Sequence, residues 1–390
     1  MTVRRSVQRE DLSFSTALTA AMATAARAPS SHNSQPWGLA YVVSDLARRR
    51  AAALCGDNLS QPDLPGVRVD IDAEFLLLAA DRARELAALP AHHAEMQLSC
   101  GLYWRLLQRA LAAEGWIVRT EVVSADLGVL GLPADWRPLR LARLERAGTP
   151  TETRTQLRDL AAARHTDRGP YLDKPIPVGV ADTLARRSSQ TSQRIDIRFL
   201  TSEDDRSRFV RFVARHAGRD FAHPAAWRET HSFIRRSETE ARERGDGFSL
   251  EHLFGPLSAT AMLLRRIALA PITMRLLRPT GFPRILAAQL AALVRQSPAV
   301  LLLSLPEAAV GDDELVAAGQ LLTDFWLLAT DMGLVLHPIS VVIQHDDLHA
   351  RLCAEFGLAG LVFFVARLGY SAHHCPPSPR RSPAASLRTL

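Results

Sequence analysis

The chain has 390 residues, 47% apolar and 23% charged, which allows one large domain or two ordinary ones and excludes a disordered composition. Lys and Arg number 47 against 41 Asp and Glu; the basic residues are almost all Arg, spread along the chain with no interleaved aromatics, which argues against nucleic-acid binding and leaves room for a small anionic ligand. Cys55, Cys100, Cys353 and Cys375 form no CxxC pair, and His92-His93 and His373-His374 fit no ligand spacing, so reduced thiols and no metal are expected.

In chain order, residues 14–27 read as a helix and 28–37 as a polar connection leading into a strand at 38–43. A Pro/Gly/Asp-rich linker spans 56–66. Residues 74–89 and 95–114 carry apolar residues at helical spacing, and Cys100-Gly101 puts a small residue where a neighbouring backbone can approach. Residues 116–123 alternate like a strand, a short strand is expected at 139–144, and 148–151 reads as a joint.

Beyond the joint, 178–188 reads as a helix, 194–200 as a strand and 203–217 as a helix. Residues 219–297 form an extra piece with a strongly apolar tract, read as an insertion that covers a site or seals the halves. Within it, 257–277 is apolar enough to test as a membrane span, but Arg265-Arg266 at its centre and Pro271 favour a buried or lid helix pair. A buried strand at 298–304, a long helix at 312–332 and a closing strand at 361–367 follow. From Pro376 onwards the chain is Pro/Ser/Arg-rich and expected to be extended. The order helix–strand–helix–helix–strand occurs in both halves, which implies two α+β lobes, 1–150 and 151–382, with 383–390 as a tail.

The connection Ala28-Pro-Ser-Ser-His-Asn-Ser-Gln-Pro-Trp37 is the most informative stretch. A capping turn needs one or two such polar residues, not six; a flat polar ligand uses many. This loop resembles the flavin loop of the FMN-dependent nitroreductase superfamily, closest to its Acg-like branch. Arg164-His-Thr-Asp-Arg168 resembles the family's basic phosphate motif, and 319–333 its late helix. Leu334-Val-Leu-His-Pro-Ile-Ser340 resembles the loop that follows, and 367–370 with 376–381 the C-terminal end. The likeness runs from about residue 14 to residue 382.

The resemblance implies a nitroreductase-like α+β fold with two fused lobes, a pseudo-dimer in one chain, each lobe a mixed or antiparallel sheet packed with helices. It implies one FMN site at the junction, a monomer, and NAD(P)H as a transient electron donor. Ser30, Ser31 and Asn33 are assigned to flavin contact, and Pro29 stiffens their loop. Arg164, Thr166 and Arg168 alternate, so an extended segment puts them on one face to grip a phosphate; Arg380 or Arg381 completes the clamp. Pro338, Ile339 and Ser340 are placed near the reactive face of the ring. His337 and Ser340 stand where the family often has an acid, so no catalytic residue is assigned, and His337 reads more readily as a satisfied structural histidine than as a proton donor. Trp37 reads as core packing. Arg4-Arg5-Ser6 also resembles the phosphate motif and would serve a second, lost site.

The function expected is an FMN-dependent oxidoreductase in which NAD(P)H reduces the flavin and the flavin reduces a small nitro, quinone or other electron-poor substrate. The alternatives are a flavin-holding protein without turnover, and a tailoring oxidase of specialised metabolism. The opening Met-Thr-Val-Arg-Arg-Ser has no apolar signal core, and a cytoplasmic location is expected.

Overall fold

Three layers of helices enclose two sheets in the computed structural model, which describes residues 13–56, 73–123, 125–147, 150, 152–188, 195–255, 257–307, 310–372 and 376–390. The Arg4-Arg5-Ser6 motif, most of the 56–66 linker and of the 148–151 joint, His373-His374 and Cys375 lie outside the described residues.

The first half contains α1 (Phe14–Ala25), β1 (Trp37–Tyr41), α2 (Asp45–Leu54), β2 (Glu74–Asp81), α3 (Pro90–Ala113), β3 (Trp116–Val122) and β4 (Trp136–Arg146). The second opens with α4 (Arg154–Ala163), α5 (Val178–Ser188), β5 (Asp196–Leu200), α6 (Glu203–His216) and α7 (Gly218–Phe221). A run of short elements follows: α8 (Pro224–Ser232), β6 (Ile234–Arg235), α9 (Glu238–Arg244), β7 (Phe248–Ser249), α10 (Leu250–Phe254), α11 (Ala259–Leu269) and α12 (Pro271–Leu277). The chain then forms α13 (Phe282–Arg295), β8 (Ala299–Leu305), α14 (Asp312–Asp331), β9 (Val335–Pro338), α15 (Asp346–Phe356), β10 (Leu361–Gly369) and β11 (Leu387–Thr389).

One sheet has the order β11-β1-β2-β4-β3, the other β5-β8-β10-β9. Pairing is antiparallel throughout these two sheets except at β1–β11, which is parallel. The two-residue alternation of strands distributes the core. Leu76, Leu78 and Ala80 of β2 face the central helices α1, α3 and α14, while Phe75, Leu77 and Ala79 face α2. Likewise Leu301 and Leu303 of β8 join the central core, and Val300 and Leu302 join the outer one with α6, α13 and α15.

α3 and α14 make the most extensive helix contact in the chain. Gly101 and Gly319 permit it: a Cβ on Gly101 would lie 2.0 Å from the Val316 carbonyl oxygen, and one on Gly319 2.3 Å from that of Leu98. The small residue beside Cys100 thus does let a backbone approach. Trp37 is core, stacked on Tyr103 at 4.7 Å.

Four expectations are corrected. Residues 74–81 form a central strand rather than a helix; with both faces covered, EFLLLAAD loses the polar alternation that marks a half-buried strand and reads as either element. Residues 335–338, expected as loop, pair with β10 as β9. The tail at 383–390 ends as β11, which lies beside β1 in the first sheet, so the last residues of the chain complete the sheet formed by the first ones. Residues 219–297 are not one piece either. α13 packs against α6 as part of the outer core, whereas α8 and α10–α12 gather around a separate cluster of Leu250, Leu269 and Met274.

No described helix is long and apolar enough to cross a membrane, and the 257–277 tract is two helices broken at Ala270 and Pro271. No group of three His, Cys, Asp or Glu side chains suited to a metal occurs among the described residues, where Cys100 and Cys353 are free thiols.

Candidate functional site

The polar loop between α1 and β1 is held in an unfavourable backbone shape. His32, Asn33 and Gln35 have φ of 50°, 54° and 53°. Each is a non-glycine residue in the left-handed region, at a cost of roughly 1–2 kcal/mol apiece. Distant segments enforce it. The Asn33 amide nitrogen donates to the carbonyls of Gly247 (2.9 Å) and Pro379 (2.9 Å), and Gln35 Nε2 donates to that of Gly245 (2.7 Å). Arg84 Nε donates to the Ser34 carbonyl (2.7 Å), and the Arg381 amide donates to Gln35 Oε1 (3.0 Å). The turn around 245–247 and the C-terminal arm therefore fix the loop from one side.

Two cavities share this loop as a wall. The first, about 520 Å³, is lined by Arg27, Arg164, Arg168 and Arg380 together with Pro29, Ser30, Asn33 and Thr166. The second, about 410 Å³, is mostly apolar, with Trp227, Phe254, Leu290, Trp326 and Phe363 among its walls. Pro29, Ser30, His32, Thr166, Arg168 and Phe248 line both.

Arg164 is the electrostatic centre of the first cavity. It caps the C-terminus of α4, is buried, and lies with its guanidinium 4.8 Å from the centre of the Trp326 ring. Nη2 donates to the Arg27 carbonyl (3.1 Å), but Nε and Nη1 are buried with no partner. Burial first, then Arg380 and Arg27, pull its pKa down to about 9, so it is still a cation at neutral pH. Arg380 donates from Nη1 to Asn33 Oδ1 (3.0 Å) and from Nη2 to the Arg27 carbonyl (3.3 Å), while its Nε is also buried without a partner. Burial and Arg27 lower its pKa to about 10. Converging cations with orphaned donors are a costly arrangement alone and a favourable one around an anion. These residues fit a phosphate.

The second cavity carries one carboxylate, Glu95 of α3, which accepts from the Ser31 hydroxyl (2.5 Å) and from Gln344 Nε2 (3.0 Å). The Ser31 amide donates to Ser99 Oγ (3.3 Å). Nearby Asp220 is pushed up to about 7 by burial and then by the charge of Glu95. His345 Nε2 stands 3.7 Å from Asp220, but burial lowers the histidine while it raises the acid, so both shifts work against an ion pair. His32 is held neutral, its pKa driven down to about 3 by burial, His92 and Arg168.

The sequence-derived residues are placed as follows. Pro29, Ser30, Ser31, Asn33, Arg164, Thr166, Arg168, Pro338, Ile339, Ser340 and Arg380 all line one or both cavities. The amide group of Asn33 is occupied in holding the loop. The Ile339 amide donates to the Val365 carbonyl (2.7 Å), which withdraws it from any ligand. Arg381 lies outside both linings: Nη1 donates to the Gln35 carbonyl and Nη2 to that of Ala385, so it ties the C-terminal arm to the loop. His337 lines the apolar cavity, accepts from Nε of the fully buried Arg367 (3.0 Å) and stays neutral. Glu95, Ser99, Trp326, Phe248 and Arg27 were not foreseen. A single acid in a helix and aromatic residues inside apolar runs give no local signal; only the tertiary fold gathers them.

The chain is thus an α+β protein of two sheets about a shared helical layer, with an arginine-lined cavity beside a strained polar loop. The chain is 32% identical over 370 residues to the probable NAD(P)H nitroreductase PigM of Serratia sp. (strain ATCC 39006), a match that covers 95% of this chain and 92% of the relative. It belongs to the NAD(P)H nitroreductase family, a class of oxidoreductases. Among solved structures, a nitroreductase-like family protein from Bacillus cereus aligns with 13% identity and a TM-score of 0.35, covering 61% of this chain and 96% of that one. The FMN-dependent nitroreductase NfnB from Mycobacterium smegmatis, solved with NADPH, aligns with 14% identity and a TM-score of 0.34, covering 59% of this chain and 95% of that one. No family model matches.

Proposed function

We propose that this chain is a flavoprotein oxidoreductase holding one FMN where its two halves, 1–150 and 151–382, meet as fused lobes. Bound FMN supplies two-electron chemistry between NAD(P)H, visiting as a transient donor, and a nitro, quinone or other electron-poor acceptor. The observation that carries the reading is the pair of orphaned, buried donors on Arg164 inside a cavity lined by three further arginines.

Each part of the site has a task. Arg164, Arg168 and Arg380, with Thr166, bind the phosphate, since guanidinium groups match its geometry and charge. Pro29, Ser30, Ser31 and Asn33 form the wall between phosphate and ring, and the fixed shape of their loop lowers the entropy lost on binding. Pro338, Ile339 and Ser340 border the ring from the apolar cavity. Glu95, through its short bond to the Ser31 hydroxyl, holds a proton position at the wall of that cavity. Apolar side chains of α8, α10, α11 and α13 line that cavity and exclude water from the acceptor. Both lobes lie in one chain, so the site needs no second copy, and dependence on a nicotinamide donor supports a cytoplasmic location.

Purified protein saturated with FMN and mixed with NADPH under argon tests the reading. Bleaching of the flavin band, followed by turnover with menadione or a nitroaromatic, supports it. A bound flavin that NADPH never bleaches makes the chain a flavin-holding protein without reductase activity.

A further inference from the structure

We propose that α11 and α12 form a docking face for an anionic lipid surface. Of the thirteen large apolar side chains that the described residues leave exposed, six fall within 23 residues: Leu263, Leu264, Ile267, Ile272, Leu276 and Ile285, each between 53% and 77% exposed. Scattered single apolar residues need no explanation, but a cluster of aliphatic side chains in water does. On α11, Leu263, Leu264 and Ile267 share one side of the helix, as Ile272 and Leu276 do on α12, by the spacing of three to four residues. The opposite side is anchored: Leu269 and Met274 are buried in the cluster with Leu250, and Arg265 lies 3.9 Å from the centre of the Phe254 ring, itself a wall of both cavities.

Charge selects the occupant. Between Glu251 and Glu307 the sequence has no Asp or Glu and six arginines, Arg265, Arg266, Arg275, Arg278, Arg284 and Arg295. None of them forms an ion pair among the described residues, and all but Arg265 are exposed. A two-fold contact with a second copy would set these cations against their own duplicates with no carboxylate from the segment to balance them. Nucleic acid would leave the aliphatic side chains without partners, since the face offers no aromatic stacking platform. A helix pair with aliphatic residues outward and arginines around them matches an interfacial helix at a bilayer surface of acidic headgroups, lying on the membrane without crossing it. Leu269, at the end of α11, is one wall of the apolar cavity, so the surface would bring that cavity near a lipid phase. This inference does not rest on the flavin reading.

Sedimentation of the full chain with vesicles tests it, using phosphatidylcholine alone and phosphatidylcholine with roughly a third phosphatidylglycerol. Binding is expected to the mixed vesicles, weaker to the neutral ones, and lost in high salt. Two triple variants, Leu264→Ser/Ile272→Ser/Leu276→Ser and Arg266→Gln/Arg275→Gln/Arg278→Gln, are each expected to weaken partitioning about a hundredfold, with circular dichroism unchanged because every site is exposed. Failure to bind the mixed vesicles overturns the proposal, as does binding that neither variant alters. A dimer in solution that the apolar variant turns into a monomer also overturns it, because a second copy then covers the face.

Discussion

Arg164→Met should stabilise the ligand-free protein and, at the same time, abolish tight FMN binding. In the native chain the guanidinium is a cation whose pKa burial and the neighbouring arginines pull far down, to about 9. At about 1.4 kcal/mol per pH unit, that corresponds to a penalty on the order of 4–5 kcal/mol for keeping it charged. Methionine removes the penalty and fills much of the same space. The losses are one hydrogen bond to the Arg27 carbonyl, roughly 1 kcal/mol, and the cation's stacking on Trp326, roughly 1–2 kcal/mol. The ligand-free variant should therefore be more stable by roughly 1–3 kcal/mol in urea unfolding at pH 7. The sign with pH follows from proton binding. Folded Arg164 releases its proton near 9, far below the unfolded residue, so the native penalty is complete below 9 and fades as pH rises above it. The advantage of Arg164→Met should shrink accordingly. In FMN titrations followed by fluorescence, the two donors now lacking a partner would be gone, and at roughly 1.5–3 kcal/mol each the affinity should fall at least about a hundredfold. A variant that is less stable without ligand, or that binds FMN within threefold of the parent, would refute the reasoning about this arginine.

Gly101→Ala drives a methyl group against the Val316 carbonyl at 2.0 Å; overpacking there should cost at least roughly 2–3 kcal/mol, read as a lower urea midpoint, and an unchanged midpoint would contradict the close α3–α14 contact. Asp220→Asn tests the raised acid. The unfolded residue loses its proton near 3.8 and the folded one near 7, so the native protein loses stability as pH climbs between them; the variant should be roughly 2–4 kcal/mol more stable at pH 8 and equal at pH 3.5, by urea unfolding at both pH values. Glu95→Gln keeps the shape of the cavity wall but removes the carboxylate that accepts from Ser31; kcat with menadione should drop about tenfold or more while FMN content stays constant, and full turnover would remove Glu95 from any role in proton handling.

The parts of the fold legible in the sequence were those with a strong period. α3, α6 and α14 emerge from helical spacing, and β3 from alternation, close to their observed bounds. β2 did not, because a strand buried on both faces carries no alternation, and β11 did not, because three residues at a chain end acquire strand character only from β1 beside them. At the site, the loop from Pro29 to Asn33 and the alternating Arg164, Thr166 and Arg168 stand out in the chain by polar density and spacing, and all line the cavities. Which of two adjacent arginines enters the cavity was not legible: Arg380 does and Arg381 does not, a difference set by the Gln35 contacts that turn Arg381 away. Glu95 was hidden for a related reason. Its importance lies in Ser31 and Gln344, which are 64 and 249 residues distant along the chain.

The absorption spectrum of the purified chain, with flavin counted per polypeptide after reconstitution, tests the central claim most directly. A yellow protein carrying one FMN per chain, and losing it on Arg164→Met, is the predicted result. A colourless protein that takes up no FMN, or one that binds two per chain, would contradict a single cofactor seated between the lobes.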